Sequence, residues 1–128
     1  MPGITGIVTV TVAVRDQETA LRWFTDTLGF EKRVDKTGPG FRWLTVGPKG
    51  QTGVEVLLAS WFPESVGKNA MWVLSTSDCH STYEELKGRG VTFLEPPEDH
   101  GLRVEAVFQD LYGNPYELVE DKRLHSPE

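Results

Sequence analysis

The alternation of apolar and polar positions predicts the same succession of elements twice along the chain. Residues 7–14 alternate with a period of two and are rich in β-branched side chains, which predicts a strand, and a helical pattern of apolar positions follows Asp16. Residues 70–76 and Asp78 repeat this order. Because a short carboxylate accepts hydrogen bonds from the free amides of a first helical turn, both aspartates are predicted to be helix N-caps.

Both predicted helices end at a glycine, Gly29 and Gly90, which suits the left-handed conformation that stops a helix. Each helix is followed by extended segments separated by turn-forming residues. Each half of the chain is therefore predicted to form one strand, one helix and three further strands, in that order. Most of residues 7–58 overlays on residues 69–120 at a constant offset of 62. The pattern therefore indicates an internal duplication.

The duplication predicts one α+β domain over residues 1–128, with a first βαβββ module at residues 4–60 and a second at residues 69–121. A helix covers only one face of a four-stranded sheet, which leaves the other face bare. We therefore expect two tandem βαβββ modules that form a curved mixed sheet around a cleft. The functional site is expected in that cleft.

Charge and composition narrow the possible partners. The 19 Asp and Glu against 13 Lys and Arg give a formal net charge of -6, which repels nucleic acid and anionic lipid. No apolar run approaches the roughly 18 residues of a membrane span, and the N-terminus lacks a charged start followed by an apolar stretch. The single cysteine, Cys79, fits a reducing compartment. We expect a cytoplasmic protein with no nucleic acid and no membrane as a partner.

Three stretches, in this order, carry a resemblance to a known superfamily. The first runs from Val14-Arg15-Asp16 to Leu28-Gly29-Phe30, and the second runs from Asp78 to Arg89-Gly90-Val91. The third is Asp110-Leu111-Tyr112-Gly113-Asn114 followed by Tyr116-Glu117-Leu118. Together they resemble the vicinal oxygen chelate superfamily, which includes glyoxalase I, bleomycin-resistance proteins and extradiol dioxygenases. The third stretch is similar to its Asp-Pro-x-Gly-Asn-x-x-Glu-Leu signature, with leucine in place of proline.

The resemblance also implies where the family's enzymes hold a metal: at an early residue of each module's first strand, usually histidine, and at a carboxylate on each module's last strand. The corresponding residues here are Thr9 and Met71 on the first strands and Glu55 and Glu117 on the last strands. A hydroxyl and a thioether add little to two carboxylates as ligands of a transition metal. We therefore expect no metal and no other cofactor. The histidines, which are His80, His100 and His125, do not replace the missing ligands.

Two kinds of side chain point to a small-molecule ligand. Glu55 and Glu117 are separated by the same offset of 62 and have apolar strand neighbours, so both are expected to face the cleft. There they can anchor a cation or act as a general base. Trp43 and Trp61 are expected to offer aromatic surface to a ligand, whereas Trp23 and Trp72 are expected to pack in the core. The other ligand-binding candidates are Thr9, Thr11, Met71, Val73 and Arg103, with Arg42 and Arg103 as possible anion clamps.

The sequence therefore predicts a metal-independent small-molecule binding protein of the glyoxalase/bleomycin-resistance type, with a cleft for aromatic or cationic organic ligands. The alternative is a glyoxalase- or dioxygenase-like enzyme, either with an unusually held metal or as a metal-free lyase or isomerase that uses Glu117, or Glu55, as its base. A third possibility is an accessory module whose cleft is filled by its own side chains. The costly exposure of Trp61-Phe62 in the linker, together with the resemblance, predicts a homodimer.

Overall fold

The computed structural model describes residues 2–123, so His125 lies outside the described part of the chain. The chain divides into two compact units between Val66 and Gly67. Each unit contains one βαβββ module with its own four-stranded mixed sheet, which confirms the predicted α+β class and the tandem modules. No helix in the described residues is long and apolar enough to cross a membrane.

The first sheet has the strand order β1-β4-β3-β2, in which β1 and β4 are parallel and the other neighbours are antiparallel. Helix α1 (Gln17–Arg22) follows β1 and continues as a wider π-helical turn through Trp23–Thr27. The strands of this sheet are β1 (Thr9–Ala13), β2 (Phe30–Gly38), β3 (Phe41–Pro48) and β4 (Glu55–Ala59).

The second sheet repeats this arrangement in the order β5-β8-β7-β6, again with one parallel pair, β5 and β8. Helix α2 (Cys79–Gly88) follows β5. The strands are β5 (Trp72–Ser75), β6 (Thr92–Asp99), β7 (Arg103–Gln109) and β8 (Pro115–Asp121). A short 3-10 turn at Pro63–Ser65 precedes the second unit.

The helix boundaries confirm the predicted caps and stops. The side chain of Asp16 accepts a hydrogen bond from the Thr19 amide at 3.0 Å, and Asp78 accepts one from the Ser81 amide at 3.0 Å. Gly29 and Gly90 have φ values of 87° and 93°, which an L side chain rarely adopts. Each helix thus begins and ends where the sequence indicates.

Each helix covers one face of its own sheet, and the core lies in between. The opposite face, which we call the helix-free face, carries the alternate residues of each strand because successive side chains point to opposite sides. The core residues include Val12, Ala20, Phe24, Leu44 and Leu58 in the first unit and Leu86, Ala106, Phe108, Tyr116 and Leu118 in the second. The helix-free faces carry Thr9, Thr11, Trp43, Thr45, Glu55 and Leu57 in the first unit and Val73, Arg103, Glu105, Val107 and Glu117 in the second.

The last strand of each module departs from the constant offset of 62. In the first sheet, Leu57 is paired with both Thr11 and Thr45, whereas in the second sheet Glu117 is paired with both Val73 and Val107. Thr11 and Val73, like Thr45 and Val107, are 62 residues apart, so the structural equivalent of Glu117 is Leu57, 60 residues before it. The expected equivalence of Glu55 and Glu117 is therefore wrong, although both lie on helix-free faces.

The Asp110 carboxylate organises the turn between β7 and β8. Its Oδ1 accepts hydrogen bonds from the backbone amides of Tyr112 at 2.9 Å and Asn114 at 3.0 Å. Its Oδ2 accepts from the Asn114 side-chain amide at 2.9 Å and from the Tyr116 hydroxyl at 2.7 Å. Burial and the neighbouring carboxylate raise the pKa of Tyr116 far above its usual range. In this unit the signature stretch therefore has a structural role.

The same turn also fixes the start of β5. The Asn114 side-chain oxygen accepts a hydrogen bond from the Asn69 amide at 3.0 Å, just before the strand begins. Gly67, with a φ of 77°, lies so close to the Tyr112 carbonyl that an added Cβ would stand 2.6 Å from its oxygen. The turn thus connects the first and last strands of the second module and sets the position of Glu117.

Candidate functional site

An open groove of about 480 Å³ on the first unit is lined by Gly40, Phe41, Trp43 and Trp61. The rings of Trp43 and Trp61 are stacked, with centroids 6.4 Å apart and planes at 27°. Phe62 extends the aromatic surface, with its ring centroid 6.0 Å from that of Trp61. We call this feature the aromatic groove.

Local backbone geometry brings these rings together. Gly40, with a φ of 77°, closes the tight connection from β2 to β3, so Phe41 lies opposite Gly38 at the start of β3. The Phe41 ring occupies the space that a side chain at Gly38 would fill. Trp43 follows two residues later on the same face, and Trp61 follows the end of β4 at Ala59. The groove therefore lies at one end of the helix-free face.

The rings of the groove are far more exposed than the aromatic residues of the core. Phe41, Trp43 and Trp61 expose 49%, 38% and 40% of their surface, whereas Phe24 and Phe108 are buried. Trp23 packs edge-on against Phe24 with centroids 5.1 Å apart, and Trp72 packs in the same way against Tyr116 at 5.9 Å. The structure thus separates two packing tryptophans from two tryptophans that stack on each other at the surface.

Glu55 lies on the same helix-free face as Trp43. It is paired with Thr9 across the parallel strands β1 and β4, and it is half-buried. Its Oε1 accepts a hydrogen bond from the Thr45 hydroxyl at 2.9 Å. Thr11 is one row further along β1, opposite Leu57. The structure therefore places Thr9, Thr11, Trp43 and Glu55 on one surface of the first unit.

The candidates of the second unit form a separate cluster around Arg103. One guanidinium nitrogen of Arg103 lies 3.2 Å from a Glu105 carboxylate oxygen, and the other lies 3.8 Å from a Glu117 oxygen. Val73 lies opposite Glu117 in the ladder and is 62% exposed, and Met71 immediately precedes β5. Glu117 thus has an arginine partner, whereas the partner of Glu55 is a hydroxyl.

Arg42 is not available as an anion clamp. Its guanidinium group is bound on the helix side of the first sheet, with Asp35 at 2.7 Å and Glu18 at 3.0 Å. The hydrogen bond from Arg42 lowers the pKa of Asp35 to about 2, so the pair stays charged over the ordinary pH range. Arg42 therefore connects α1 to the hairpin of β2 and β3.

The residues on the helix-free faces do not fit the metal that the superfamily's enzymes hold. Thr9 and Glu55 in the first unit offer one hydroxyl and one carboxylate, and that carboxylate already accepts from Thr45. In the second unit Met71 supplies only a thioether, and Glu117 is paired with Arg103. Within residues 2–123 no group of three or more His, Cys, Asp and Glu side chains is placed to hold a metal ion. This donor set suits neither Zn²⁺ nor Fe²⁺.

A cysteine nucleophile is also unavailable in the described structure. Cys79 is fully buried at the start of α2, where its amide donates to Glu120 at 2.9 Å. Burial raises the pKa of the Cys79 thiol to about 11, which keeps it protonated and weakly reactive.

Sequence reasoning did not identify two residues that shape the first surface, Thr45 and Phe41. The signal for Thr45 is a polar residue inside the apolar run Leu44-Thr45-Val46, and Thr45 is completely buried. The signal for Phe41 is its place directly after Pro39-Gly40, where a turn brings a strand's first side chain to the surface.

Comparison with proteins of known sequence and structure gives close matches over most of the chain. The protein YurT of Bacillus subtilis, which is uncharacterized, is 34% identical over 124 residues, covering 89% of this chain and 98% of YurT. The crystal structure of UcmS2 matches with a TM-score of 0.83 and 35% identity, covering 92% of this chain and 99% of that one.

A third relative has a described role. TnmS3 from Streptomyces sp. CB03234, an antibiotic binding protein, matches with a TM-score of 0.80 and 31% identity, covering 92% of this chain and 97% of that one. The family model of the Glyoxalase/Bleomycin resistance protein/Dioxygenase superfamily matches residues 6–118, which include both modules up to the middle of β8, and the aromatic groove. The chain therefore belongs to the Glyoxalase/Bleomycin resistance protein/Dioxygenase superfamily.

Proposed function

We propose that this protein binds a planar aromatic organic molecule, preferably a cationic one, in the aromatic groove, and that it does so without a metal. The observation that carries the proposal is the exposed stack of Trp43 on Trp61, with Phe41 on the same groove. Aromatic rings that are left exposed together provide a large, rigid surface on which another ring stacks. Glu55 lies on the same helix-free face but two rows of side chains from Trp43, so it supports a cationic ligand through the negative charge that it adds to this face and not through contact with a ring on Trp43.

The relatives support ligand binding over catalysis. TnmS3 is an antibiotic binding protein of the same fold at 31% identity. An enzyme that used Glu117 as its base would need that carboxylate free, but Arg103 lies 3.8 Å from it and also contacts Glu105. We therefore favour binding over a metal-dependent or metal-free lyase, isomerase or dioxygenase. A cytoplasmic location is part of the proposal and rests on the single free thiol of Cys79.

The proposal is tested by titrating the purified protein with 9-aminoacridine, a planar cation, and following tryptophan fluorescence and the heat of binding. We expect one dye per chain, no binding of the non-planar cation cyclohexylamine, and the same affinity after treatment with EDTA. Elemental analysis of the protein as purified is expected to show no stoichiometric Zn, Ni or Fe. Loss of dye binding after chelation, or one tightly held metal ion per chain, would contradict metal-independent binding.

We also propose that the protein is a homodimer. Within residues 2–123 the edge strand β5 pairs only with β8, and apolar side chains are exposed along it, with Val73 at 62% and Met71, just before the strand, at 45%. Ile7 and Val8, just before β1, which is an edge strand of the first sheet, expose 70% and 72%. Unpaired edges with apolar side chains are surfaces that proteins ordinarily cover.

Multi-angle light scattering is expected to give twice the chain mass of 14.3 kDa. Replacing Val73 with lysine, which places a charge on the edge strand, is expected to shift the mass towards the monomer. A monomer mass for the unmodified protein over a hundredfold range of concentration, on the order of 1 to 100 μM, would rule the dimer out.

A further inference from the structure

We infer that Gln17 is a positioning residue of the aromatic groove: its side-chain amide joins β3 to β4 where their ladder stops, and it thereby sets the spacing of Trp43 and Trp61. The inference rests on the proposed function, because it assumes that a ligand stacks on these two rings. It assigns part of the affinity of the groove to a residue of α1, on the opposite side of the sheet, that does not line the groove itself.

The ladder between β3 and β4 ends before it reaches the groove. Thr45 is paired with Leu57, and within the described strands no further pair follows on the side of Trp43. Both strands nevertheless continue past this row, β3 back to its start at Phe41 and β4 on to its end at Ala59. The stretch of β3 that carries Trp43 is therefore not joined to β4 by the ladder.

The side-chain amide of Gln17 supplies a connection at this place. Its Nε2 donates to the Arg42 carbonyl at 2.8 Å and to the Leu58 carbonyl at 2.8 Å, so each of its two protons serves one strand. The Ala59 carbonyl accepts from the Val14 amide, on the side of β1. Because successive carbonyls of a strand point to opposite sides, the Leu58 carbonyl points towards β3. Gln17 thus bonds a carbonyl that faces the partner strand.

Both bonded carbonyls are close in the chain to a ring of the groove. Arg42 directly precedes Trp43 on β3, and Leu58 precedes Trp61 by three residues. The Arg42 side chain lies on the helix side of the sheet, so the Trp43 ring lies on the helix-free face. The distance between the two strands therefore sets the distance of 6.4 Å between the ring centroids. Gln17 controls that distance from the other side of the sheet.

The first turn of α1 holds this connection in place. Asp16 caps the turn, and Gln17 is the first residue of the helix. The neighbouring Glu18 contacts the Arg42 guanidinium at 3.0 Å, so the start of α1 binds residue 42 by its main chain and by its side chain. Leu58 is completely buried, and water therefore does not replace the donor to its carbonyl.

Two substitutions remove the connection and keep the length of the side chain. Gln17→Met has no donor, and Gln17→Glu has at most one, so neither variant can bond both carbonyls. We expect each to weaken the binding of 9-aminoacridine about three- to tenfold, within the range of coupling between residues of one hydrogen-bond network. Calorimetric titration measures the affinity.

The spacing of the rings has a spectroscopic signature that requires no ligand. Two stacked indoles couple to give circular dichroism bands of opposite sign, and the signal of this pair is the part that Trp43→Phe removes. We expect Gln17→Met and Gln17→Glu to lose most of this signal. The spectra are recorded far below the unfolding transition of each variant, so a loss of stability alone leaves them unchanged.

Thr25→Val is the matched control. The Thr25 hydroxyl donates to the Leu21 carbonyl at 2.7 Å, so this variant also removes a bond from a half-buried side chain to the main chain, but within the helix. It should leave the signal and the affinity unchanged. Combined with Trp43→Ala, Gln17→Met should lose most of its effect on dye affinity, because a positioning residue acts through the ring that it places.

The outcomes distinguish this inference from the function on which it rests. If 9-aminoacridine does not bind to the unmodified protein, or binds equally well to Trp43→Ala, the proposed function fails and the inference fails with it. If binding depends on Trp43 but either variant of Gln17 keeps the signal or the affinity, the function stands and the role of Gln17 is refuted. Additive effects of Gln17→Met and Trp43→Ala, or a Trp43→Phe variant that removes no paired bands, refute that role as well.

Discussion

Replacing Asp110 with alanine is expected to lower the free energy of unfolding by about 3 to 5 kcal/mol and the melting temperature by about 10 to 20 °C. The buried carboxylate accepts four hydrogen bonds, from two backbone amides, the Asn114 side-chain amide and the Tyr116 hydroxyl. Alanine would leave all four donors without their acceptor, in a turn where Asn114 is almost completely buried. A buried donor without an acceptor destabilises the fold by the full free energy of its desolvation. We therefore expect this substitution to be among the most destabilising single changes in the chain.

A second aspartate offers a matched control. Asp99 accepts from the Gly101 amide at 2.8 Å in a similar turn, but its side chain is exposed. Water replaces a lost bond at such a position, so Asp99→Ala is expected to leave the free energy of unfolding almost unchanged. Urea denaturation of both variants measures the difference. Equal effects of the two substitutions would show that Asp110 has no special role in the turn.

The duplicated fold could be predicted from the sequence because each local signal has a local cause. A carboxylate before each apolar periodic segment and a glycine after it were sufficient to locate both helices. The structure confirms the caps at Asp16 and Asp78 and the positive φ at Gly29 and Gly90. Such signals depend on a few consecutive residues, so they are readable without knowledge of the tertiary structure.

The register of the last strands could not be predicted in the same way. Between the paired residues Val46 and Val56 the first module has a longer connection than the second module has between Phe108 and Tyr116. The compact Asp110 turn accounts for the shorter one, since its carboxylate folds the chain back over four residues. Glu55 and Glu117 happen to agree with an ungapped overlay, which hid the two-residue shift. Pairing between strands, not the order of residue types, decides which side chains are equivalent.

The site was predictable in its residue types but not in its contacts. Trp43 and Trp61 could be identified from the sequence because they are large aromatic residues close to predicted turns, and in the structure their rings are stacked. Thr45 is different, because its hydrogen bond from Val34 depends on a β-bulge in β2 that directs the Val34 amide at its hydroxyl. No pattern within β3 reveals such a bond, since its partners come from two other strands.

Replacing Trp43 with alanine is expected to weaken the binding of 9-aminoacridine about 10- to 100-fold, the range found when an aromatic side chain is removed from beneath a stacked ring. Trp43 supplies one face of the groove, and its ring also holds Trp61 in place at a centroid distance of 6.4 Å. Its loss thus removes one stacking surface and releases the other. Trp43→Phe, which keeps a smaller ring, is expected to retain part of the affinity.

Trp23 is the matched control for this experiment, because it belongs to the same unit but packs against Phe24, whose side chain is buried between helix and sheet. Trp23→Leu should lower the free energy of unfolding and leave the affinity for the dye unchanged. Trp43→Ala should weaken binding of the dye and change the free energy of unfolding less, since the Trp43 side chain is 38% exposed and contributes less to the core. Calorimetric titration and urea denaturation of both variants measure the two effects separately. If Trp43→Ala binds the dye as tightly as the unmodified protein does, the ligand does not lie in the aromatic groove, and the exposed stack has some other cause.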